Sequence, residues 1–428
     1  MKKVFLGAAT LALLSTSAYA TKARLLALGD EVEDNYYTMD DRYIFTNASY
    51  VNNYGDMVVY EFGDEGFNYY EVNTAAGTAT SPAQAAEHAT LDSDEKSKAQ
   101  GGFLKSHGNF TYGAFLGNES NVSSLLRIVA SDGNTGADYL ATADNQVDFF
   151  FGGKAGTLNW GTSLIYAGSE RKNSQGEDLD DTALAVKLGV NKDNWDAFAN
   201  ISLASESENK GTGNKFEGKL GFQLGGSYTL NNNLKFYGSF KKFDWEQTHN
   251  AANAAVLSAG GKVDGGFTRY DIGVGRSYQA TDSTQVFVRT QLTAIDIEVE
   301  YSAATSELST MNLPLIIGFE SKANDWLVLR GSVSQTVYGN ADSKNLGLLL
   351  FGQTATPGAT FETDSAGLKA AGIGAYAGNF SNDGEVSMEN TTTVNLGATL
   401  TWNKIDVDTL VGSMSDNAYT RFAVKYNF

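Results

Sequence analysis

Cysteine is absent from the 428 residues, and histidine is nearly so, with only His88, His107 and His249. Without thiols there is no disulfide framework, no cysteine-ligated zinc site, no iron–sulfur cluster and no thiol catalysis. All three histidines fall in or beside stretches that read as long loops, and catalysis needs a base placed beside its nucleophile. No Gly-x-Ser-x-Gly, His-Glu-x-x-His or phosphate-cradling loop is present, so neither an enzyme nor a cofactor is expected. Basic residues are also short: 31 Lys+Arg stand against 50 Asp+Glu, a net charge of −19. Phosphate binding needs a basic surface, which argues against nucleic acid as a partner. Beyond the first twenty residues, nothing approaches the ~18 uninterrupted apolar residues of a membrane helix.

What is abundant is glycine (46), phenylalanine (24) and tyrosine (21). That mixture suits closely approaching β-strands with aromatic side chains at their ends. The amino terminus reads as an export signal. Lys2 and Lys3 precede an apolar stretch, Val4 to Leu14, and Ala18-Tyr19-Ala20 gives a small-x-small cleavage site. The expected organisation is therefore a cleaved signal at 1–20, an amino-terminal periplasmic segment or plug at 21–55, and a barrel over 56–428. With no cysteine after the cleavage point, a lipoprotein anchor is excluded.

Period-two alternation recurs along the chain. In the last ten residues Phe422, Val424, Tyr426 and Phe428 share one face, while Arg421, Ala423, Lys425 and Asn427 share the other. A pleated strand sends successive side chains to opposite sides, so this segment has one apolar and one largely polar face. Thr391 to Trp402, Phe216 to Leu230, Trp195 to Leu203 and Thr157 to Tyr166 repeat the pattern. Short links (154–156, 191–194, 231–233, 280–283, 322–325 and 403–404) alternate with longer polar ones (130–144, 169–181, 205–214, 246–265, 302–309 and 339–390). Short turns at one rim and long loops at the other are the layout of a transmembrane barrel.

Sixteen strands are predicted, near 56–63, 108–117, 122–130, 145–153, 157–168, 182–190, 195–204, 216–229, 234–245, 267–278, 284–299, 310–321, 326–338, 391–402, 404–413 and 419–428. The predicted fold class is all-β, a transmembrane antiparallel barrel of about 16 strands, with 14 or 18 as alternatives. Pro314 weakens one strand, because a central proline costs a ladder bond. The apolar runs 346–351 and 372–380 in the longest loop would raise the count. Closure follows from solvation, since in hydrocarbon every backbone N–H and C=O needs a partner. Trp160, Tyr166, Trp195, Tyr228, Tyr278, Trp326, Trp402, Tyr426 and Phe428 lie near strand ends, as an aromatic girdle requires.

The aromatic carboxy-terminal residue on an alternating last strand resembles the assembly signal of Gram-negative outer-membrane β-barrel proteins. It implies recognition of Phe422, Tyr426 and Phe428 by the barrel-assembly machinery, in a membrane of lipid and lipopolysaccharide. A narrower likeness lies in ARLLALG (Ala23–Gly29), DDRYIFTNASYV (Asp40–Val51) and MVVYEFG (Met57–Gly63). These resemble the amino end of a major outer-membrane protein family of predatory bacteria. They are distantly similar to the long-chain fatty-acid transporters, whose amino-terminal hatch precedes an Asn-Pro-Ala motif and the first strand; Asn47-Ala48-Ser49 stands there in this chain.

If Phe422, Val424 and Phe428 face lipid, the opposite phase faces the interior. That phase collects Lys187, Lys219, Arg269, Asp271, Arg289, Arg330, Arg421 and Lys425, with Glu217, Asp406 and Asp408. These are the candidate pore-lining residues, since rings of charge set ion preference. Arg276 falls on the lipid phase and predicts a bulge or a register slip. Acid crowds the stretch from Asp30 to Glu95, where Arg42 is the one arginine; without an Asp-x-Asp-x-Asp-Gly loop it reads as a solvated acidic surface. The functional expectation is passive diffusion of small hydrophilic solutes or ions, with trimerisation left open. The alternatives are a hydrophobic-ligand transporter with an amino-terminal plug and a non-conducting surface barrel.

Overall fold

The computed structural model describes residues 21–31, 34–63, 99–117, 146–172, 178–211, 213–230, 233–249, 261–301, 304–346, 360–362, 379–381, 383–387, 392–414 and 417–428. Sixteen antiparallel strands follow one another round a closed sheet. They are β1 (Met57–Gly63), β2 (Ala99–His107), β3 (Phe110–Leu116), β4 (Gln146–Ala155), β5 (Leu158–Lys172), β6 (Asp178–Lys192) and β7 (Trp195–Asn209). A split β8 (Asn214–Gly218 and Gly221–Thr229) leads to β9 (Leu234–His249), β10 (Gly261–Thr281), β11 (Thr284–Glu300), β12 (Thr305–Asn324) and β13 (Leu327–Lys344). A split β14 (Gly384–Ser387 and Thr392–Trp402), β15 (Ile405–Met414) and β16 (Asn417–Asn427) complete the ring, and β1 pairs with β16. Both pieces of β8 pair with β9, and both pieces of β14 pair with β13, so each pair counts once. Among the described residues no helix is long and apolar enough to cross a membrane.

The strand number agrees with the sequence reading, but its composition does not. Ala99–His107 is a strand that alternation did not reveal, because Gly101 and Gly102 interrupt its pattern. The predicted strand at 122–130 lies outside the described residues. The short links at 154–156, 191–194, 280–283, 322–325 and 403–404 are tight turns at one rim; 231–232 lie outside the described residues. At the other rim the strands run on: β5 reaches Lys172, β7 reaches Asn209 and β12 begins at Thr305, so much of 169–181, 205–214 and 302–309 is paired backbone rather than loop. Within the longest connection Thr360–Glu362 pairs with Asn379–Ser381; 347–351 and 372–378 lie outside the described residues.

Two predicted interior positions are corrected by one bulge. Trp245 pairs with Gly218 and Lys242 with Phe222, so β8 carries one residue more than β9 over that span. Phe216 and Gln223 therefore both point inward although their spacing is odd, and Glu217 and Lys219 turn outward. Lys219 pairs with Asp264 at 2.9 Å on the outer face. A strict period of two carried across a bulge places every residue beyond it on the wrong face. Arg276 is the reverse case. The β9–β10 register runs unbroken up to it and the β10–β11 register unbroken through it. It lies near the short-turn end of β10 with its guanidinium 4.8 Å from the Tyr278 ring, so an aromatic partner at the rim accommodates it without a slip. Pro314 does sit at an irregularity, where β12 and β13 shift register between Leu313 and Pro314.

The outer face carries the apolar belt. Tyr228, Tyr278, Trp326, Trp402, Tyr426 and Phe428 are exposed at the short-turn rim, and Trp195 lies beside them. Phe222 meets Phe240 across β8 and β9 on this outer side with the rings tilted at 59°, and Val394 and Phe422 are exposed. On β11 the outward residues Val286, Val288, Thr290, Leu292 and Ala294 give way to Asp296, Glu298 and Glu300. The polarity of the outside thus changes one strand-length above the short turns.

Candidate functional site

The lumen is occupied by the chain's own amino-terminal segment. Thr21 caps a short helix, α1 (Lys22–Ala27), by accepting the Arg24 N–H, and Gly29 at φ +73° ends the turn that follows. Two 3-10 turns follow: Asp41–Phe45, capped by Asp40, and Ala48–Asn52, capped by Asn47. Asp and Asn side chains bonding their own backbone N–H groups at 40–42 and 47–49 hold these turns without a longer helix. Ala23 and Ala27 pack on Leu410 of β15, and Tyr43, Ile44, Tyr50 and Val51 pack with Met57, Val59, Leu104, Phe115 and Phe150 of β1–β4.

Three glycines make a seat for the second turn. Gly152, Gly161 and Gly189 stand side by side in register across β4, β5 and β6. A Cβ on Gly161 would lie 2.2 Å from the Ala48 carbonyl oxygen, and one on Gly189 would lie 1.9 Å from Asn47 Oδ1. The backbone of 47–49 is therefore pressed against bare strand backbone. Asn47 Nδ2 donates to Asp196 at 3.1 Å, Asn191 Nδ2 to Ser49 Oγ at 2.8 Å, and Asn52 Nδ2 to the Trp160 carbonyl at 2.8 Å.

Ion pairs hold the rest. Arg24 spans Asp40 and Glu320, both at 3.0 Å, and Arg330 joins Glu320 (3.1 Å) to Asp408 (3.2 Å). Asp408 also accepts from Thr21 Oγ1. Arg289 grips Asp30 at 2.6 Å. Arg269 meets Asp271, Asp34 and Glu31 within 3.1 Å, and Lys241 meets Asp34 at 2.9 Å. Lys425 pairs with Asp41 at 2.7 Å and Arg42 with Glu61 at 2.9 Å. Burial pushes the Asp30, Asp40 and Asp41 carboxyls above the usual carboxylate range. Burial acts on Asp34 as well, but Arg269 and Lys241 outweigh it and hold that carboxyl below the range.

Of the predicted pore-lining residues, Arg269, Asp271, Arg289, Arg330, Arg421 and Lys425 are buried on the inner face. Lys187 points inward and donates to the Phe45 carbonyl. Lys219 does not join them, for the reason given above. Asp406, also inward, accepts from Thr401 and Asn427. The acidic surface expected from Asp30 onward is corrected at five positions: Asp30, Asp34, Asp40, Asp41 and Glu61 are buried in ion pairs with bases. An excess of acid in a leading segment and an excess of base on inward strand positions were complementary halves of one interior. Nothing in local sequence joined them, since the partners lie up to 384 residues apart.

Above the ionic layer the inner wall changes character, which strand-by-strand reading missed. Phe243, Phe267, Ile297 and Leu308 form one row in register across β9 to β12, all inward and buried. Trp245 lies one step higher, stacked on Phe216 with ring centres 6.5 Å apart. One step below that row the same strands carry Lys241, Arg269, Ile295 and Thr310, and then Ser239, Asp271, Thr293 and Asn312. Outward neighbours of the apolar row, such as Asp244, Asp296 and Glu298, are acidic, so only the paired register reveals it. His107 and His249 end β2 and β9 at opposite rims.

No family model matches the chain, and no curated protein does. Several solved structures are similar over nearly the whole length. The toluene transporter TodX of Pseudomonas putida is 10% identical, with 95% of this chain and 96% of that one covered and a TM-score of 0.34. The toluene transporter TbuX of Ralstonia pickettii is 11% identical, covering 96% and 99%, at 0.36. An anion-selective porin from Comamonas acidovorans is 11% identical, covering 87% and 97%, at 0.34. Likeness at this level leaves the function to be argued from the chain's own residues.

Proposed function

We propose that the chain is an outer-membrane transport barrel closed by its own amino-terminal plug, admitting a small apolar solute from the long-loop side. The observation that carries this reading is the layered interior: a buried apolar wall on β9–β12 stands directly over a plug held by ion pairs. The exposed apolar belt and the aromatic rim supply the lipid-facing surface, and Phe422, Tyr426 and Phe428 lie on that side for the assembly machinery. A lumen occupied by residues 21–31 and 34–55 favours the plugged alternative over the open passage for hydrophilic solutes that inward charge suggested. Passage requires the plug to move, and the acid–base pairs that hold it are individually exchangeable for water once opened.

The acidic outer face at the level of the apolar row supports a second reading, in which that row is a sealed core of the strands projecting beyond the membrane. Trp245 distinguishes them, since its indole is fully buried in the row's upper edge. Bromobenzene quenches indole fluorescence on contact. Saturable quenching that disappears in Trp245→Phe is the expected result; quenching indifferent to that substitution favours the sealed core.

A further inference from the structure

The weak point of any barrel is the seam where its first and last strands meet. Among the described residues β1 shares seven register positions with β16, Met57↔Asn427 to Gly63↔Arg421, and six with β2, whereas β9 and β10 share sixteen. Two consecutive plug residues lie across this seam. Asp41 pairs with Lys425 of β16, and Arg42 pairs with Glu61 of β1. All four side chains are buried, none more than 7% exposed. Consecutive residues of a 3-10 turn diverge by about 120°, so one turn reaches both strands at once. Asp40 fixes that turn by accepting the Arg42 N–H at 3.1 Å, and is itself held by Arg24. The Lys22 N–H adds a second bond to Glu61 at 2.7 Å. The inward side of β1 is otherwise Met57 and Val59, both covered by the plug's Tyr43, Ile44, Tyr50 and Val51.

We propose that the Asp41–Arg42 pair is an internal staple that couples docking of the plug to closure of the β1–β16 seam, making the plug an assembly element of the barrel. This rests on the closed sheet alone and is independent of what the barrel transports. Before closure β1 and β16 are open edges, each with an unpaired row of backbone groups. A docked turn presenting an acid to Lys425 and a base to Glu61 brings those edges into one register. It also brings each of these two inward charges a partner of opposite sign.

The test is refolding of the full chain into phospholipid vesicles, followed by the appearance of the compact, heat-modifiable gel form. Asp41→Asn combined with Arg42→Gln is expected to slow that appearance about tenfold. Arg289→Gln removes an equally buried plug-to-wall pair away from the seam and is expected to stay within about twofold of the parent. Closure of the double variant at the parent rate, or an equal delay in Arg289→Gln, overturns the proposal. If the double variant gives no compact form, Tyr60→Cys and Val424→Cys are added; these face outward opposite each other at the seam, in a chain with no other thiol. A disulfide formed there in the unfolded chain is expected to restore closure. Failure to do so overturns the staple.

Discussion

At Gly161 a single methyl group would land 2.2 Å from the carbonyl oxygen of Ala48, a contact with backbone that no side-chain rotation relieves. Gly189 meets a side-chain atom, Asn47 Oδ1, and so has more room to adjust. Gly161→Ala should therefore lift the 47–52 turn from its seat, at a cost of about 1–3 kcal/mol in plug docking. Ala48 is fully buried. In an Ala48→Cys background, labelling by a water-soluble maleimide is expected to quicken on adding Gly161→Ala. Unchanged labelling would mean that the glycine row is incidental to the seat. The same scale explains why inward aromatics line up beside strand glycines: the rings of Phe198, Tyr237, Trp245 and Phe287 lie over Gly225, Gly273, Gly265 and Gly318. A bare backbone beside each ring lets it lie flat on the wall, leaving the lumen for the plug.

Helix α1 has six residues, too few to be stable alone, and the two 3-10 turns are shorter still. Their conformation is therefore a consequence of docking. Residues 21–31 and 34–37 are tied by ion pairs and hydrogen bonds to β9–β12 and β15, while 41–55 packs on β1–β4, sits on the glycines of β4–β6 and runs covalently into β1. Deleting 21–37 should consequently open a path with the barrel intact. Planar-bilayer recordings are expected to show large, persistent steps for the deletion against a nearly silent parent. Equal conductance in the two would remove the plug from the transport argument. The bulges on β7 and β8 belong to this scale too: they reverse the facing of the strand ends, which puts Phe216 inside and the Lys215–Glu217 and Lys219–Asp264 pairs outside.

For the whole molecule, the outer apolar strip sets the depth at which the barrel sits. On β11 it runs from Val286 to Ala294 before Asp296. That length, tilted, matches an apolar band about 25 Å tall. Insertion is therefore expected to be most efficient in bilayers with hydrocarbon about 25 Å thick and to fall in thicker ones, by fractions of a kcal/mol per Å of mismatch. The compact fraction on unheated gels, measured across a series of lipid chain lengths, checks this. Indifference to thickness would argue that the exposed belt does not face lipid.

Period-two alternation in segments such as Phe422 to Phe428 made the sheet, its closure and its two faces legible, because a pleat's geometry is written residue by residue. The inward placing of Arg269, Arg289, Arg330 and Lys425 followed from the same rule. Lys219 and Glu217 escaped it because a bulge is one extra residue with no composition of its own. What the lumen holds was decided only in three dimensions. Asp41 finds Lys425 across 384 residues, and three glycines on separate strands become one seat only when register aligns them. Along strands without a bulge the sequence by itself determined which side chains face in, since that depends on neighbours along the chain. The tertiary structure decided what they face, since charge and shape complementarity act between elements that the chain keeps far apart.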